Sequence, residues 1–127
     1  MSREPEWVTV DDALLYHREL IRAFGGSDGL REPGLLESVL DRARSVYAYE
    51  SQDLVVLAAV HAHGIAKNHP FVDGNKRVAF VETRVFLGLN GVAFDPPEPE
   101  AVVMVEGLAA GRVTFAEFTL WVRKHSH

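Results

Sequence analysis

The 127-residue chain has no cysteine. That excludes a disulfide framework, a thiolate metal site and a cysteine nucleophile. It is also short of positive charge: 13 Lys and Arg stand against 18 Asp and Glu, a formal net charge of −5 with His neutral. So acidic a balance argues against coating nucleic acid by phosphate neutralisation, and no direct nucleic-acid binding is expected. It leaves a local basic pocket open. No apolar run approaches the ~18 residues of a membrane span. The start, Met1 to Trp7, lacks a basic-then-apolar leader pattern. The expectation is a soluble, cytoplasmic protein without membrane contact. No repeat, low-complexity segment or linker divides the sequence, so a single domain over residues 1–127 is expected. Hydrophobic residues make up 47% of it, enough for a real core.

Most of the chain reads at helical period. Thr9 can cap a first helix, with Asp11 and Asp12 in its opening turn, where carboxylates favour the dipole. Leu14, Leu20, Ile21 and Phe24 follow at core spacings, and Gly25-Gly26 ends that helix. Pro33 suits the first position of a second helix, whose apolar face holds Leu36, Val39, Leu40 and Ala43. Ser45 to Gln52 alternates and carries Tyr47 and Tyr49, which predicts an extended flap or short hairpin. The two tyrosines fit either lid packing or contact with a target.

Ser51 and Asp53 open a third helix, apolar nearly all round from Leu54 to Val60, as befits the centre of a bundle. It should stop by Asn68, because Pro70 drives His69 out of the α region. A second buried helix is expected from Asn75 to Leu89, ended by Asn90-Gly91. Val92 to Asp95 reads as a short extended piece. Pro96, Pro97 and Pro99 lead into a helix over Ala101 to Ala110, and Thr114 with Glu117 forms the capping box of a last one. Phe118 and Trp121 there read as core. The sum is an all-α domain of six helices with one extended flap before the central helix. His61 and His63 are two apart and cannot share a helix face, so a zinc site is not expected. His61 reads as a core-edge histidine with a satisfied hydrogen bond. His125 and His127 fall on a terminus expected to fray.

Chemistry concentrates between the two most apolar helices, in His69-Pro-Phe-Val-Asp-Gly-Asn-Lys-Arg77. A turn that opens a helix presents unpaired N–H groups and the positive end of the macrodipole. Gly74 lets backbone approach a ligand closely. Cations at a helix N-terminus oppose that dipole, so Lys76 and Arg77 need a reason to be there. A polyphosphate supplies one, with Lys76 as a point charge and Arg77 as a bidentate fork. Asp73 offers the single carboxylate that suits Mg²⁺ shared with phosphates and water. It could equally close an Asx turn before Gly74. His69 could take a proton from an attacking hydroxyl, and Phe71 should point inward and pin the loop.

This nine-residue segment resembles the motif of the Fic/Doc family, His-x-Phe-x-(Asp/Glu)-(Gly/Ala)-Asn-(Gly/Lys)-Arg, which joins two central helices. Gly25-Gly26 through Leu30, Glu32 to Leu35, Ser38, Tyr49-Glu50, Lys67-Asn68, Asn90-Gly91 and Leu108 to Gly111 extend the likeness to the short Doc branch. The resemblance implies a compact Fic/Doc fold without an added regulatory arm. It implies His69 as catalytic base, Asp73 as the Mg²⁺ ligand, and Gly74 and Asn75 at the phosphate-holding positions. Arg77 falls at the position that contacts the distal phosphates, and Tyr47 and Tyr49 in a target-docking flap. Where AMP-transferring members have glycine, this chain has Lys76, as the Doc branch does. That branch is associated with a reversed ATP, transfer of the γ-phosphate to a threonine of elongation factor Tu, and arrest of translation. A Phd-type antitoxin is the implied partner. AMP transfer, or a non-catalytic nucleotide- or antitoxin-binding module, stays open. Val78 departs from the threonine common at its position, and no self-inhibitory Ser/Thr-x-x-x-Glu-(Gly/Asn) helix is evident.

Overall fold

The structure, a computed structural model, describes residues 4–127. Six helices follow one another: α1 Val10–Phe24, α2 Pro33–Tyr49, α3 Leu54–Asn68, α4 Asn75–Leu89, α5 Glu98–Ala110 and α6 Phe115–Lys124. Among the described residues extended pairing is confined to two isolated bridges, Leu30 with Phe71 and Phe94 with Ser126. The fold is all-α, as expected from the sequence.

The helix starts follow from local chemistry. Thr9 and Asp12 form a reciprocal capping box, each side chain accepting the other's backbone N–H at 3.1 Å. Thr114 and Glu117 do the same for α6. Asp53 caps α3 through the Val55 N–H at 2.9 Å, and its second oxygen meets Arg123 of α6 at 2.8 Å. The capping residue thus also ties two helices together.

α3 runs through the middle, packed against α2, α4, α5 and α6. Its buried face is Leu57, Ala58, Ala59, Ala62, Ile65 and Ala66. The alanines and Gly64 let neighbours come close: a Cβ on Gly64 would lie 2.9 Å from Val39 Cγ1. Phe86 and Leu87 of α4 and Phe118, Trp121 and Val122 of α6 complete the core. α3 and α4 are joined only by residues 69–74, so the packing of the two most buried helices fixes both ends of the motif loop.

Three expectations fail here for physical reasons. Ser45 to Tyr49 is the last turn of α2, so the extended flap before the central helix is not formed there. The apolar face Leu36, Val39, Leu40 and Ala43 continues at helical period to Val46, and burying Val46 outweighs the alternation. Only the short connection 50–53 is non-helical. Phe24 is not core: it is 62% exposed at the end of α1. The C-terminus is not frayed either. Ala93 and His127 exchange backbone hydrogen bonds of 2.8 and 2.9 Å, which fastens the chain end along Val92 to Asp95.

Candidate active site

The loop between α3 and α4 begins with a strained residue. His69 ends α3 in the left-handed region, φ 51° and ψ 62°. It is the one non-glycine residue with positive φ among those described. A following proline disfavours the α region and usually leaves an extended residue. Here the chain reverses instead, at a cost of about 1–2 kcal/mol. Arg31 offsets that cost. Its Nε donates to the His69 carbonyl at 2.8 Å and Nη2 donates to that of Asn68 at 2.7 Å. A guanidinium thus covers the negative end of α3. The His69 side chain stays exposed.

The non-helical segment that borders the motif is Gly25 to Glu32, with Leu30 bridged to Phe71. Its Arg31 N–H donates to the Pro70 carbonyl at 2.8 Å, and its Gly29 carbonyl accepts the Val72 N–H at 3.0 Å. Tyr47 and Tyr49, expected in a docking flap, sit instead on α2. Tyr47 packs edge-on against Trp7, with ring centroids 5.8 Å apart. Tyr49 is 86% exposed at the helix end.

Phe71 is fully buried, as expected. The buried Asn75 side chain locks it from both sides: Oδ1 accepts the Phe71 N–H at 3.0 Å and Nδ2 donates to the Phe71 carbonyl at 2.9 Å. The Asn75 amide closes the loop with Oδ1 and one Nδ2 hydrogen, while its backbone N–H stays at the open helix start. Gly74 precedes α4 at φ 78° with no side-chain cap. The first α4 backbone bond runs from Val78 to Gly74, so the N–H groups of Asn75, Lys76 and Arg77 have no acceptor within the helix. The first turn contains no acidic residue. Lys76 and Arg77 are both exposed there, and the Arg77 guanidinium lies 4.4 Å from the centroid of the Phe24 ring. Phe24 carries a cation rather than the core.

Asp73 stands at the rim of this helix start. Oδ1 accepts the Gly74 N–H at 2.9 Å and Oδ2 accepts the Ser27 N–H at 3.3 Å. An Asx turn would use the Asn75 N–H; Oδ1 takes the adjacent Gly74 N–H instead, which uses one of its lone pairs and leaves the carboxylate exposed. Gly26 lies beside it at φ 113°, a conformation that favours glycine, and a Cβ there would sit 2.7 Å from Oδ2 and push the carboxylate aside. No group of three His, Asp or Glu side chains able to hold a metal occurs among the described residues. The donor set fits Mg²⁺ coordinated jointly by one carboxylate, phosphate and water, and does not fit an all-protein cage.

Sequence reasoning missed three residues that shape this site: Arg31, Gly26 and His17. Their partners are distant in sequence, so spacing carried no sign of Arg31 or Gly26. His17 was findable, because it lies four residues from both Ala13 and Ile21 and so faces inward. It is 1% exposed, and its Nε2 is 2.9 Å from the Asp73 carbonyl.

Comparison with known proteins finds a family and relatives for the chain. The model of the Fic/DOC family matches residues 7–87. A protein named "Protein kinase doc", from Escherichia phage P1, is 30% identical over 119 residues, spanning 92% of this chain and 93% of its own length. "Toxin Doc" of Mycolicibacterium smegmatis is 40% identical over 72 residues, 55% of each chain.

Proposed function

The chain belongs to the Fic/DOC family, and on that premise we propose that it is a toxin that phosphorylates a translation factor. The donor is Mg·ATP and the acceptor a Ser or Thr hydroxyl of an elongation factor Tu-like protein. One observation carries this reading. The open, cation-flanked start of α4 has a carboxylate at its rim, and a histidine stands exposed at the other end of the same short loop.

Phosphoryl transfer asks a protein mainly to position groups and neutralise charge. The free N–H groups of α4, Lys76 and Arg77 hold the phosphates. Asp73 holds Mg²⁺, which when bound neutralises charge on the phosphate oxygens. His69 accepts the proton of the target hydroxyl on its imidazole. The hydroxyl oxygen forms a bond to the γ-phosphorus, and the bond to the β–γ bridging oxygen breaks, with its electron pair leaving on ADP. Lys76 fills the place that glycine leaves open in AMP-transferring members. Its charge beside the phosphates favours the orientation that presents the γ-phosphate. The relative named a protein kinase points the same way.

A Phd-type antitoxin would restrain the enzyme. A cleft of about 600 Å³ between α2, α3 and the start of α6 is lined by Val39, Val46, Val56, Val60 and Phe115 and reaches Asn68, next to His69. An antitoxin segment lying there would end beside the catalytic loop.

Expression in a bacterial host tests the reading. Wild-type protein should arrest growth, and His69→Ala and Asp73→Ala should not. Arrest by both variants would remove chemistry from the mode of action and leave a binding module.

A further inference from the structure

We propose that His17 is a positioning residue that holds the Asp73–Gly74 peptide in the orientation the phosphate and metal site requires. The proposal rests on the reading of Asp73 and Gly74 given above. His17 projects from α1 and, among the described residues, is the one buried histidine packed on the motif loop. Its Nε2 lies 2.9 Å from the Asp73 carbonyl. A carbonyl only accepts, so Nε2 carries the proton. Nδ1 is 3.5 Å from Asp28 Oδ1, and that oxygen also accepts the Gly29 N–H at 2.8 Å. The imidazole stacks on the Phe71 ring, with centroids 3.9 Å apart and planes 11° from parallel.

The need for such a restraint comes from Gly74. A peptide preceding a glycine can rotate about its own axis at little cost, because glycine accepts φ of either sign. The Asp73–Gly74 peptide is gripped at both ends. His17 holds its carbonyl, and the Asp73 carboxylate accepts its N–H at 2.9 Å. A flip would turn the carbonyl away from α1 and remove the Gly74 N–H from Oδ1. The carboxylate would lose one of the two contacts that aim it. Ile21 and His17 also sit under Gly74, 3.3 and 3.8 Å from where a Cβ would be, so α1 forms the floor of this turn.

Two substitutions separate the hydrogen bond from the ring stack. His17→Phe keeps an aromatic ring on Phe71 and loses the donor. His17→Gln keeps a donor near Nε2 and loses the ring. His17→Leu serves in place of phenylalanine if the larger ring prevents folding, which circular dichroism and melting would reveal. In ligand-free protein, His17→Phe should double or broaden the Gly74 and Asn75 amide NMR signals, and His17→Gln should leave them single. Calorimetric titration with Mg·ATP should show affinity weakened about tenfold or more in His17→Phe, with His17→Gln close to wild type. Unchanged amide signals and affinity in His17→Phe would overturn the proposal. So would equal damage in both variants, which would assign His17 to packing alone. If wild type itself fails to bind Mg·ATP, the nucleotide reading falls, and the ligand-free amide signals alone decide the role of His17.

Discussion

Replacing Glu82 by glutamine should change how stability depends on pH more than it changes stability itself. Glu82 lies on α4 with no exposed surface. Its Oε1 accepts the Tyr16 hydroxyl, and its Oε2 is 3.8 Å from His61 Nε2. The other His61 nitrogen, Nδ1, donates to the Leu57 carbonyl at 2.9 Å. The His61–Glu82 separation is compatible with an ion pair, but burial drives both groups to their neutral forms. Burial first, and the charge of Asp12 second, push Glu82 up to about 8. Burial pulls His61 down to about 4, opposed by the Leu57 carbonyl and assisted by Arg44. Above pH 4.5 the unfolded chain releases the Glu82 proton while the folded one keeps it. Stability therefore falls by about 1.4 kcal/mol per pH unit until the folded group titrates near 8. Between about pH 4 and 6.5 the unfolded chain protonates His61 and the folded one does not, so there stability rises with pH at the same slope. The two slopes cancel from about 4.5 to 6.5. Above 6.5 only Glu82 acts, and one and a half units remove about 2 kcal/mol. Urea unfolding followed by tryptophan fluorescence at pH 5, 6.5 and 8 tests this. The stability of Glu82→Gln relative to wild type should improve by about 2 kcal/mol between pH 6.5 and 8. A constant gap would refute the neutral pair. A variant far less stable than wild type at pH 5 to 6.5 would also refute it, because a charged His61 would then have lost its partner.

Other outcomes follow from the same contacts. Gly64→Ala should lower stability by about 1–2 kcal/mol in urea, since its Cβ would press on the buried Val39 at 2.9 Å. Gly88→Ala, with open space around it, should raise stability by up to about 1 kcal/mol. Arg31→Ala should lower the melting temperature and slow transfer, because the α3 carbonyls and the strained His69 lose their restraint; unchanged activity would contradict that coupling. Asp73→Asn should shift the Mg²⁺ concentration needed for half-maximal transfer upward without altering the melting temperature.

Much of the fold was legible because capping and periodicity are local. Thr9, Asp53 and Thr114 announce their helices, and the unbroken apolar run after Leu54 marks the central one. The motif loop was legible as a turn between two buried helices, since Pro70 and Gly74 mark it locally. What sequence did not disclose depends on distant partners. Around Tyr47 and Tyr49 two local patterns compete, the alternation and the helical period that runs from Ala43 to Val46, and burial of Val46 in the fold decides between them. The non-helical neighbour of the motif is a glycine-rich segment some forty residues upstream, fixed by backbone bonds to Pro70 and Val72. Asn75 is visible as a motif residue, yet its side chain closes the loop on Phe71 rather than facing outward. Phe24 sits at a core spacing but at a helix end, where Arg77 rather than the core covers it.

The most direct test of the central claim is the intact mass of elongation factor Tu after incubation with this protein, ATP and Mg²⁺. The expected result is a single phosphate increment on a hydroxyl residue, formed by wild type and reduced by about 10²-fold or more in His69→Ala. An AMP-sized increment would contradict γ-phosphate transfer and assign the Lys76 site to the opposite nucleotide orientation. No increment on this factor or on any protein of a bacterial lysate would contradict the enzymatic claim itself.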